Sequence, residues 1–449
     1  MSETFHRHLC VHGHFYQPPR ENPFTHLVPD EPGAGHYRNF NEKITTECYR
    51  PNAEIGNFGR ISFDFGPTLA AWVARYAQDV YLRIIESDQI HRERYGVGNA
   101  IAHAYNHTIL PIATPRSKKT QIIWGITDFR HRFGVEPEGM WLAETAVDME
   151  CLELLADQGI KFTVLAPWQA AEGIDTSEPY WVRLSGDRRI AVFFYHGQMS
   201  GDVSFNDDVT SNADAFAAPY LSRHVNWEKE HRGEDQLLLI ATDGELYGHH
   251  KPFRDLFLAH LTEHSAPAFG YEVTSLTRYL RDHPPTREVR IHAPSAWSCA
   301  HGVARWSEGC DCTEGDRAWK PLLLAGLRRM EERIDDLFEK HAGATLRDPW
   351  EARDHFIERR NGWVTPAAFW AQHGRRGRKP GKETLVARTW SLLEAQYCMQ
   401  AAFTSCGWFF EDLDRLEPRI DLNYARCAIS HIWRALGIDL QTDFLGDLA

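Results

Sequence analysis

The sequence lacks any apolar run long enough to cross a membrane. No segment of its 449 residues approaches the ~18 consecutive apolar positions that a spanning helix needs, so we exclude a transmembrane helix and expect no membrane partner. The N-terminus also lacks a basic region followed by an apolar stretch and a small-residue cleavage site. We therefore expect a cytoplasmic protein.

The sequence also lacks an excess of basic residues and a cysteine pattern that would indicate disulfides. The formal net charge is −13 at pH 7, which argues against a nucleic-acid partner, because proteins that bind phosphate backbones concentrate Lys and Arg. One short basic stretch, GRRGRKPGK (374–382), is interpreted as a solvated loop. The nine cysteines are an odd number, which is typical of free thiols in a reducing compartment rather than of a disulfide framework.

What the sequence does contain is an alternation of short apolar runs and helical periodicity up to about residue 285. The predicted strands are 8–15, 97–104, 138–143, 160–166, 189–196, 236–242 and 269–273. The predicted helices among them are 68–88, 119–133, 145–159, 251–264 and 274–280. Apolar strands joined by helices indicate a parallel sheet. The count favours an α/β fold with an irregular seven-stranded barrel.

The pattern changes near residue 286, where strand signals stop and long amphipathic segments begin. The predicted helices there are 317–341, 349–360, 382–403 and 424–436. We therefore predict a catalytic barrel over residues 1–285, with an insertion near 204–236, and an α-helical C-terminal domain over residues 286–449.

Polar side chains at the ends of the predicted strands are candidate site residues, because catalytic groups of such barrels gather where the strands end. The first strand ends with His12, His14 and Gln17, and the second with His103. Alternate residues of a strand share a face, so His12 and His14 can point to one site. They could bind a metal, donate to sugar hydroxyls, or simply be histidines of the barrel interior.

Two carboxylates follow other predicted strands, Glu144 after the third and Asp243 after the sixth. Such a pair at one barrel mouth is the minimum equipment for glycoside hydrolysis. Each also has a purely structural interpretation. Glu144 could be a helix-entry charge beside a cap formed by Thr145 and Asp148, and Asp243-Gly244 could be a turn.

Aromatic residues could supply the stacking surfaces that sugar rings require. The chain has 15 Trp, and Trp141, Trp297, Trp306 and Trp408 lie beside polar motifs rather than within clean helical stripes. Any one of them could equally belong to the core.

Several of these stretches together resemble the family 57 glycoside hydrolases, which act on α-glucans. The motifs that carry the resemblance are HGHFYQPP (12–19), GNAIAHAYNHTILP (98–111), WLAETA (141–146), TDGELYGHH (242–250), VTSLTRYL (273–280), PSAWSCAHGVARW (294–306) and TSCGWFF (404–410). The stretches SAWSCAHG (295–302) and WSEGCDC (306–312) are similar to a less characterised branch that carries an appended domain of unknown function.

The resemblance implies an incomplete seven-stranded (β/α)7 barrel followed by an α-helical domain. It also implies a retaining enzyme, an α-amylase, 4-α-glucanotransferase or branching enzyme, that uses no cofactor and no metal in catalysis. It implies that Glu144 is the nucleophile and Asp243 the general acid/base. It further implies that the helical domain contributes to the active-site cleft. The implied substrate-binding residues are His12, His14, Gln17, His103, Trp141, Tyr247, His249, Trp297 and Trp408. The expected partner is an α-1,4-linked glucan, and the oligomeric state is left open.

Two other functions remain open at this stage. SFDFGP (62–67) resembles the Asp-Asp motif of metal-dependent polysaccharide deacetylases, although Phe65 stands where the second Asp is needed. A catalytically silent homologue that binds glucan for regulation would also keep these motifs.

A further question concerns Cys299, His301, Cys310 and Cys312, whose types suit a structural zinc site. Their spacing matches no standard finger or ribbon. The sequence therefore favours packed thiols over a metal site.

Overall fold

The computed structural model describes residues 6–376 and 384–448. Its strands are β1 (Arg7–Phe15), β2 (Ser62–Phe65), β3 (Ala100–His103), β4 (Met140–Trp141), β5 (Phe162–Leu165), β6 (Tyr180–Arg183), β7 (Arg189–Phe194), β8 (Gln236–Asp243) and β9 (Glu272–Val273). Its contacts divide the chain into two compact units. The first covers Met1–Gln17, Asp30–His103 and Phe129–Ser298, and the second covers Pro18–Pro29, Ala104–Asp128 and Cys299–Ala449.

The helices include those predicted from the amphipathic segments of the sequence, together with others that were not predicted. They are α1 (Phe40–Ile44), α2 (Arg50–Glu54), α3 (Pro67–Tyr76), α4 (Gln78–Tyr95), α5 (Pro115–Phe133), α6 (Met149–Asp157), α7 (Gly197–Phe205), α8 (Ala213–Ala215), α9 (Trp227–Arg232), α10 (Arg254–His260), α11 (Ala266–Ala268), α12 (Leu276–Asp282), α13 (Trp319–Ala342), α14 (Pro349–Arg360), α15 (Pro366–His373), α16 (Thr384–Ala401), α17 (Cys406–Phe409), α18 (Leu416–Leu436) and α19 (Gln441–Leu448). The predicted helix 68–88 is two helices, because the backbone leaves the helical region at Ala77 (φ −144°, ψ 57°).

The first unit contains a parallel sheet in the order β4-β3-β2-β1-β8, with β9 paired to β1. A second sheet, β5-β7-β6, has β5 and β7 parallel and β6 antiparallel. A parallel bridge from Gly139 to Phe162 joins β4 to β5. A hydrogen bond of 2.8 Å from His196 N to Leu239 O joins the end of β7 to β8. The strands thus follow one another around an incomplete barrel, which confirms the predicted α/β fold class.

The barrel interior is an apolar cluster drawn from most of these strands. Cys10, Trp141, Phe162, Phe193 and Leu239 are representative members, and each is at most 1% exposed. Because a parallel strand is covered on both faces, its residues read as an almost continuous apolar run. This is why β1, β5, β7 and β8 are visible in the sequence.

Two strands were not predicted. β2 has only four residues and carries Asp64 in the middle of its apolar run, which hides it from a search for apolar segments. β6 alternates between buried and exposed side chains and is an antiparallel addition to β7. The predicted strand 269–273 is reduced to Glu272–Val273.

The second unit is helical, as predicted for the C-terminal part of the chain. Its central helices α13, α14, α16 and α18 pack around side chains such as Leu327, Phe356, Leu393 and Ile432. The predicted helix 424–436 begins earlier, at Leu416. The division between catalytic and C-terminal domains at 285/286 stays a prediction.

Within this unit, Arg353 is fully buried and donates to Gln396 Oε1 at 2.8 Å and to Thr120 Oγ1 at 2.9 Å. These bonds hold segment 104–128 against the helices.

Among the described residues, no helix is both long and apolar enough to span a bilayer. The basic stretch 374–382 lies outside the described residues from position 377 onward.

Candidate functional site

The site is organised around the end of β1, which pairs with β2, β8 and β9 in the larger sheet. His14 pairs in register with Asp64 on β2 and with Asp243 on β8. Further along the sheet, His103 on β3 pairs with Trp141 on β4. Because partners in a parallel sheet present their side chains on the same face, the sheet register itself brings these groups to one end of the barrel.

His12, His14 and Asp64 form a buried charged network. Asp64 Oδ2 lies 2.8 Å from His14 Nδ1, and Asp64 Oδ1 lies 3.2 Å from His12 Nε2. His12 Nδ1 lies 3.1 Å from Ser62 Oγ. Each histidine thus has a carboxylate partner that fixes the orientation of its ring.

The two histidines of this network differ in charge. Burial lowers the pKa of His12. Burial also disfavours the charged form of His14, but the charge and hydrogen bond of Asp64, with the charges of Asp243 and Glu245, raise its pKa to about 9. Burial likewise opposes ionisation of Asp64, yet the two histidines hold its pKa below the usual range. The network therefore places one positive charge, on His14, at neutral pH.

Glu144 lies in a tight turn, Ala143–Thr145, directly after β4. Its backbone is left-handed, with φ 56° and ψ 22°, and Thr145 follows with φ 47°. The predicted helix start and cap at Thr145 are therefore wrong. The helix begins at Met149, capped by the Asp148 side chain, which accepts from Cys151 N at 2.7 Å. Thr145 instead donates its hydroxyl to Gln169 Oε1 at 2.8 Å.

Two donors hold the Glu144 carboxylate. Trp297 Nε1 and Ser298 Oγ donate to the same oxygen, Oε2, at 2.8 and 2.6 Å. The backbone adds a further tie, since Trp297 N donates to Glu144 O at 3.0 Å. The side chain is partly buried, and this burial raises its pKa. The two donors oppose the rise, the Asp243 charge adds to it, and the His14 charge opposes it.

Asp243, the last residue of β8, is exposed. Glu245, two residues further on, is buried and accepts from Tyr49 Oη at 2.6 Å and from Tyr16 N at 3.1 Å. Burial raises the pKa of Glu245 to about 7, with the Tyr49 hydrogen bond acting against the rise and the Asp243 charge adding to it. The end of β8 thus presents one accessible carboxyl and one buried carboxyl.

Aromatic rings surround the Glu144 side of the site. Trp141 stacks on His12 at 4.8 Å between ring centroids and on His14 at 5.2 Å. Trp297 meets Trp141 edge-on at 5.2 Å and Tyr195 at 6.3 Å. Trp168 meets Tyr195 edge-on at 5.9 Å and is 51% exposed. Trp141 and Tyr195 are buried, so the accessible ring surface of this group is on Trp168 and, in part, on Trp297.

Three other residues predicted to bind substrate are buried in the first unit. His103 is buried and stacks on Tyr16 and on His14, both at 5.4 Å. Gln17 is buried, and its carbonyl accepts from Thr68 Oγ1 at 2.6 Å. Tyr247 is buried. These residues belong to the first unit.

Two predicted substrate-binding residues have partners of their own. His249 Nδ1 lies 2.6 Å from Glu47 Oε2. Trp408 belongs to the second unit, where it is buried and stacks on Trp319 at 5.8 Å. The substrate-binding roles assigned to the predicted residues stay predictions.

Three residues of the site were not predicted. Asp64 could have been found from its place inside a short apolar run, since a lone Asp between buried aromatic residues signals a buried charge with a partner. Glu245 was visible next to Asp243, but nothing local distinguishes its burial from Asp243's exposure. Ser298 has no sequence signal, because only the fold brings it to Glu144.

Two family models match the chain. The model described as glycosyl hydrolase family 57 matches residues 23–292. The model described as a domain of unknown function (DUF3536) matches residues 316–449. Comparison with curated protein sequences gives no match.

Solved structures share the fold over almost the whole chain at low sequence identity. An exo-type maltose-forming amylase from Pyrococcus sp. ST04 is 14% identical with a TM-score of 0.73, over 98% of this chain and 82% of that one. A branching enzyme from Pyrococcus horikoshii is 15% identical with a TM-score of 0.65, over 98% and 94%. An α-amylase from Thermotoga maritima is 14% identical with a TM-score of 0.64, over 98% and 96%.

Proposed function

The chain belongs to glycosyl hydrolase family 57, and on that premise we propose that it is a retaining glycoside hydrolase or transglycosidase acting on α-1,4-linked glucans. The solved structures that share its fold include a maltose-forming amylase, a branching enzyme and an α-amylase. A cytoplasmic location, expected from the sequence, is part of the same proposal.

The observation that carries this proposal is the paired geometry of Glu144 and Asp243. They follow different strands, β4 and β8, of one parallel sheet. Burial is the main cause of the raised pKa of Glu144, and the charge of Asp243 adds to it. Two interacting carboxyls at the ends of barrel strands, one held by donors and one open to solvent, are suited to the two roles of a retaining glycosidase.

In the first step, Glu144 attacks the anomeric carbon and forms a C–O bond to it. The glycosidic C–O bond breaks as Asp243 gives its proton to the departing oxygen. We assign the attack to Glu144 Oε1, because Trp297 and Ser298 both occupy Oε2. Those two donors favour the ionised form of the carboxylate and fix its orientation.

In the second step, the Asp243 carboxylate removes a proton from water or from a sugar hydroxyl. The oxygen so activated attacks the anomeric carbon, and the bond to Glu144 breaks. Water gives hydrolysis, whereas a sugar hydroxyl gives transfer. The two outcomes share the covalent intermediate and differ only in the acceptor.

A product assay on an α-glucan panel tests the proposal. The protein is incubated with maltoheptaose and with amylose, and products are separated by chain length before and after debranching. Shorter linear products indicate hydrolysis, redistributed linear products indicate 4-α-glucanotransfer, and new α-1,6 linkages indicate branching. Glucan chains left unaltered at high enzyme concentration would contradict the proposal.

The same assay distinguishes the proposed enzyme from a catalytically silent homologue that only binds glucan. That alternative predicts glucan binding without product, and binding that is insensitive to Glu144→Gln. The deacetylase alternative needs a second Asp where Phe65 stands, and it predicts that dialysis against EDTA abolishes activity.

A further inference from the structure

The segment 299–312 of the second unit brings three thiols and one imidazole together. Cys299 Sγ lies 3.6 Å from Cys310 Sγ, and Cys312 Sγ lies 3.4 Å from His301 Nδ1. The ligand atoms of all four residues lie within 4.8 Å of one another. This set is called the thiol–imidazole cluster below.

We propose that the thiol–imidazole cluster is a structural zinc site with three cysteine ligands and one histidine ligand. The site is distinct from the carboxylates at the barrel strand ends and is independent of the glycosidase proposal.

The spacing of the ligand atoms fits one tetrahedral ion. With Zn–S near 2.3 Å and Zn–N near 2.0 Å, a regular tetrahedron has S···S edges of about 3.8 Å and S···N edges of about 3.5 Å. The observed separations of 3.6 and 3.4 Å agree with these edges. A disulfide between Cys299 and Cys310 needs their sulfur atoms at about 2.05 Å, which is much closer.

The ligand types select zinc among common ions. Thiolate and imidazole are soft or borderline donors, whereas magnesium and calcium require oxygen ligands. An all-protein set of four such ligands is typical of a closed structural zinc site, because catalytic zinc keeps one position for water.

The backbone between the ligands contains two left-handed glycines, Gly302 (φ 74°) and Gly309 (φ 78°). Glycine adopts this conformation without steric cost, so the chain can turn at both positions and return the two ends of the segment to one point.

The cluster is also reachable from solvent, since His301 is exposed and Cys312 is partly exposed, while Cys299 and Cys310 are buried. A metal can therefore enter from the surface and be held by the buried thiols. The segment contains only one short helical turn, Ala304–Trp306. An ion that joins its two ends would stabilise a stretch that has little secondary structure of its own.

A second group of thiols and an imidazole could also bind a zinc ion. Cys398, Cys427 and His431 also have ligand atoms within 4.8 Å of one another. They offer three ligands where the thiol–imidazole cluster offers four. Metal measurements on variants of both groups therefore locate the ion.

The test measures zinc in the full-length protein purified without chelator or affinity metal. We expect one zinc per chain in the wild type, undiminished in Cys427→Ser and in the control Cys406→Ser. We expect it to fall to background in Cys310→Ser and in Cys312→Ser. Zinc that survives in both of these variants, zinc that is lost only in Cys427→Ser, or a wild type without zinc would overturn the proposal.

His301 keeps the proposal testable if the cysteine variants fail to fold. His301→Ala removes an exposed side chain, so the fold should persist while zinc is retained less firmly against a chelator. His301→Cys restores a fourth ligand and should restore retention. Cobalt substitution of the wild type should give the intense visible absorption of a tetrahedral ion and a thiolate-to-cobalt charge-transfer band. Octahedral cobalt spectra, or equal retention in His301→Ala and the wild type, would contradict the assignment.

Discussion

The ends of β4 and β8 each present a carboxylate at the same edge of the barrel, but they hold it differently. Glu144, after β4, is partly buried, bound at Oε2 by two donors and fixed in a left-handed turn. Asp243 ends β8 in extended backbone and is exposed. A nucleophile benefits from a fixed position, whereas an acid/base must exchange protons with water between two steps. The contrast supports the proposed division of roles.

The largest effect is expected where the fixed carboxylate is removed. Glu144→Gln keeps the size of the side chain but cannot form the covalent bond, so turnover of maltoheptaose should fall on the order of 10⁵-fold or more. Turnover is measured by product analysis under single-substrate conditions. Azide added to Glu144→Ala should restore turnover with inversion at the anomeric carbon. Retained turnover in Glu144→Gln would contradict the nucleophile assignment.

Removing the exposed carboxyl should cost less. Asp243→Asn loses general acid and base, which is worth about 10²- to 10⁴-fold, but keeps the nucleophile. A maltosyl substrate with a good leaving group needs no acid in the first step, so its first turnover should be nearly normal in Asp243→Asn. A stopped-flow burst of the leaving group would reveal this. If Asp243→Asn loses the burst as completely as Glu144→Gln, the assignment of different roles to Asp243 and Glu144 would be wrong.

The donors that fix Glu144 provide the next test. Ser298→Ala removes a hydrogen bond to a charged oxygen, worth about 1.5–3 kcal/mol, and should lower kcat roughly 10- to 100-fold. Ser204→Ala is the matched control, since Ser204 donates only locally, to Ser200 O at 2.8 Å. Equal kinetics in the two variants would show that Ser298 does not position Glu144.

The smallest expected effect concerns the charge that lies between the two strand ends. Because the pKa of His14 is raised from 6.5 to about 9 in the folded state, its protonation stabilises the fold fully below about pH 6.5, and this contribution is lost as pH rises through about 9. Asp64→Asn removes the partner chiefly responsible.

The free energy of unfolding, measured by denaturant titration at several pH values, should therefore decline less over this pH range in Asp64→Asn than in the wild type. His250→Gln is the control, because burial lowers the pKa of His250. Parallel curves for wild type and Asp64→Asn would contradict the role given to Asp64.

The sequence predicted the parts of the site that lie at the ends of long apolar strands. β1 and β8 are continuous apolar runs, so the positions of His12, His14 and Asp243 relative to the barrel followed from strand periodicity. Glu144 was visible for the same reason, although the turn that holds it was mistaken for a helix start. A left-handed Glu has no local signature, since its conformation is imposed by tertiary contacts at Trp297 and Ser298.

What the sequence could not predict is the set of partners. Asp64 lies on a four-residue strand, too short for periodicity to register, and its pairing with β1 depends on sheet order. The proximity of the four residues of the thiol–imidazole cluster could not be predicted from the sequence either. Its spacing along the chain matches no standard finger or ribbon, and the four ligand atoms come together in a segment that turns at Gly302 and Gly309.

The left-handed backbone of Glu144 has an evolutionary consequence. The left-handed conformation costs most L-residues about 1–2 kcal/mol, whereas Gly and Asn adopt it more readily. Glu144→Gly or Glu144→Asn should therefore relieve the backbone strain. A lineage under selection for folding alone would drift toward those residues. Persistence of Glu at this position among homologues would then be a record of selection for chemistry, and its replacement by Gly or Asn would mark lineages that have given that chemistry up.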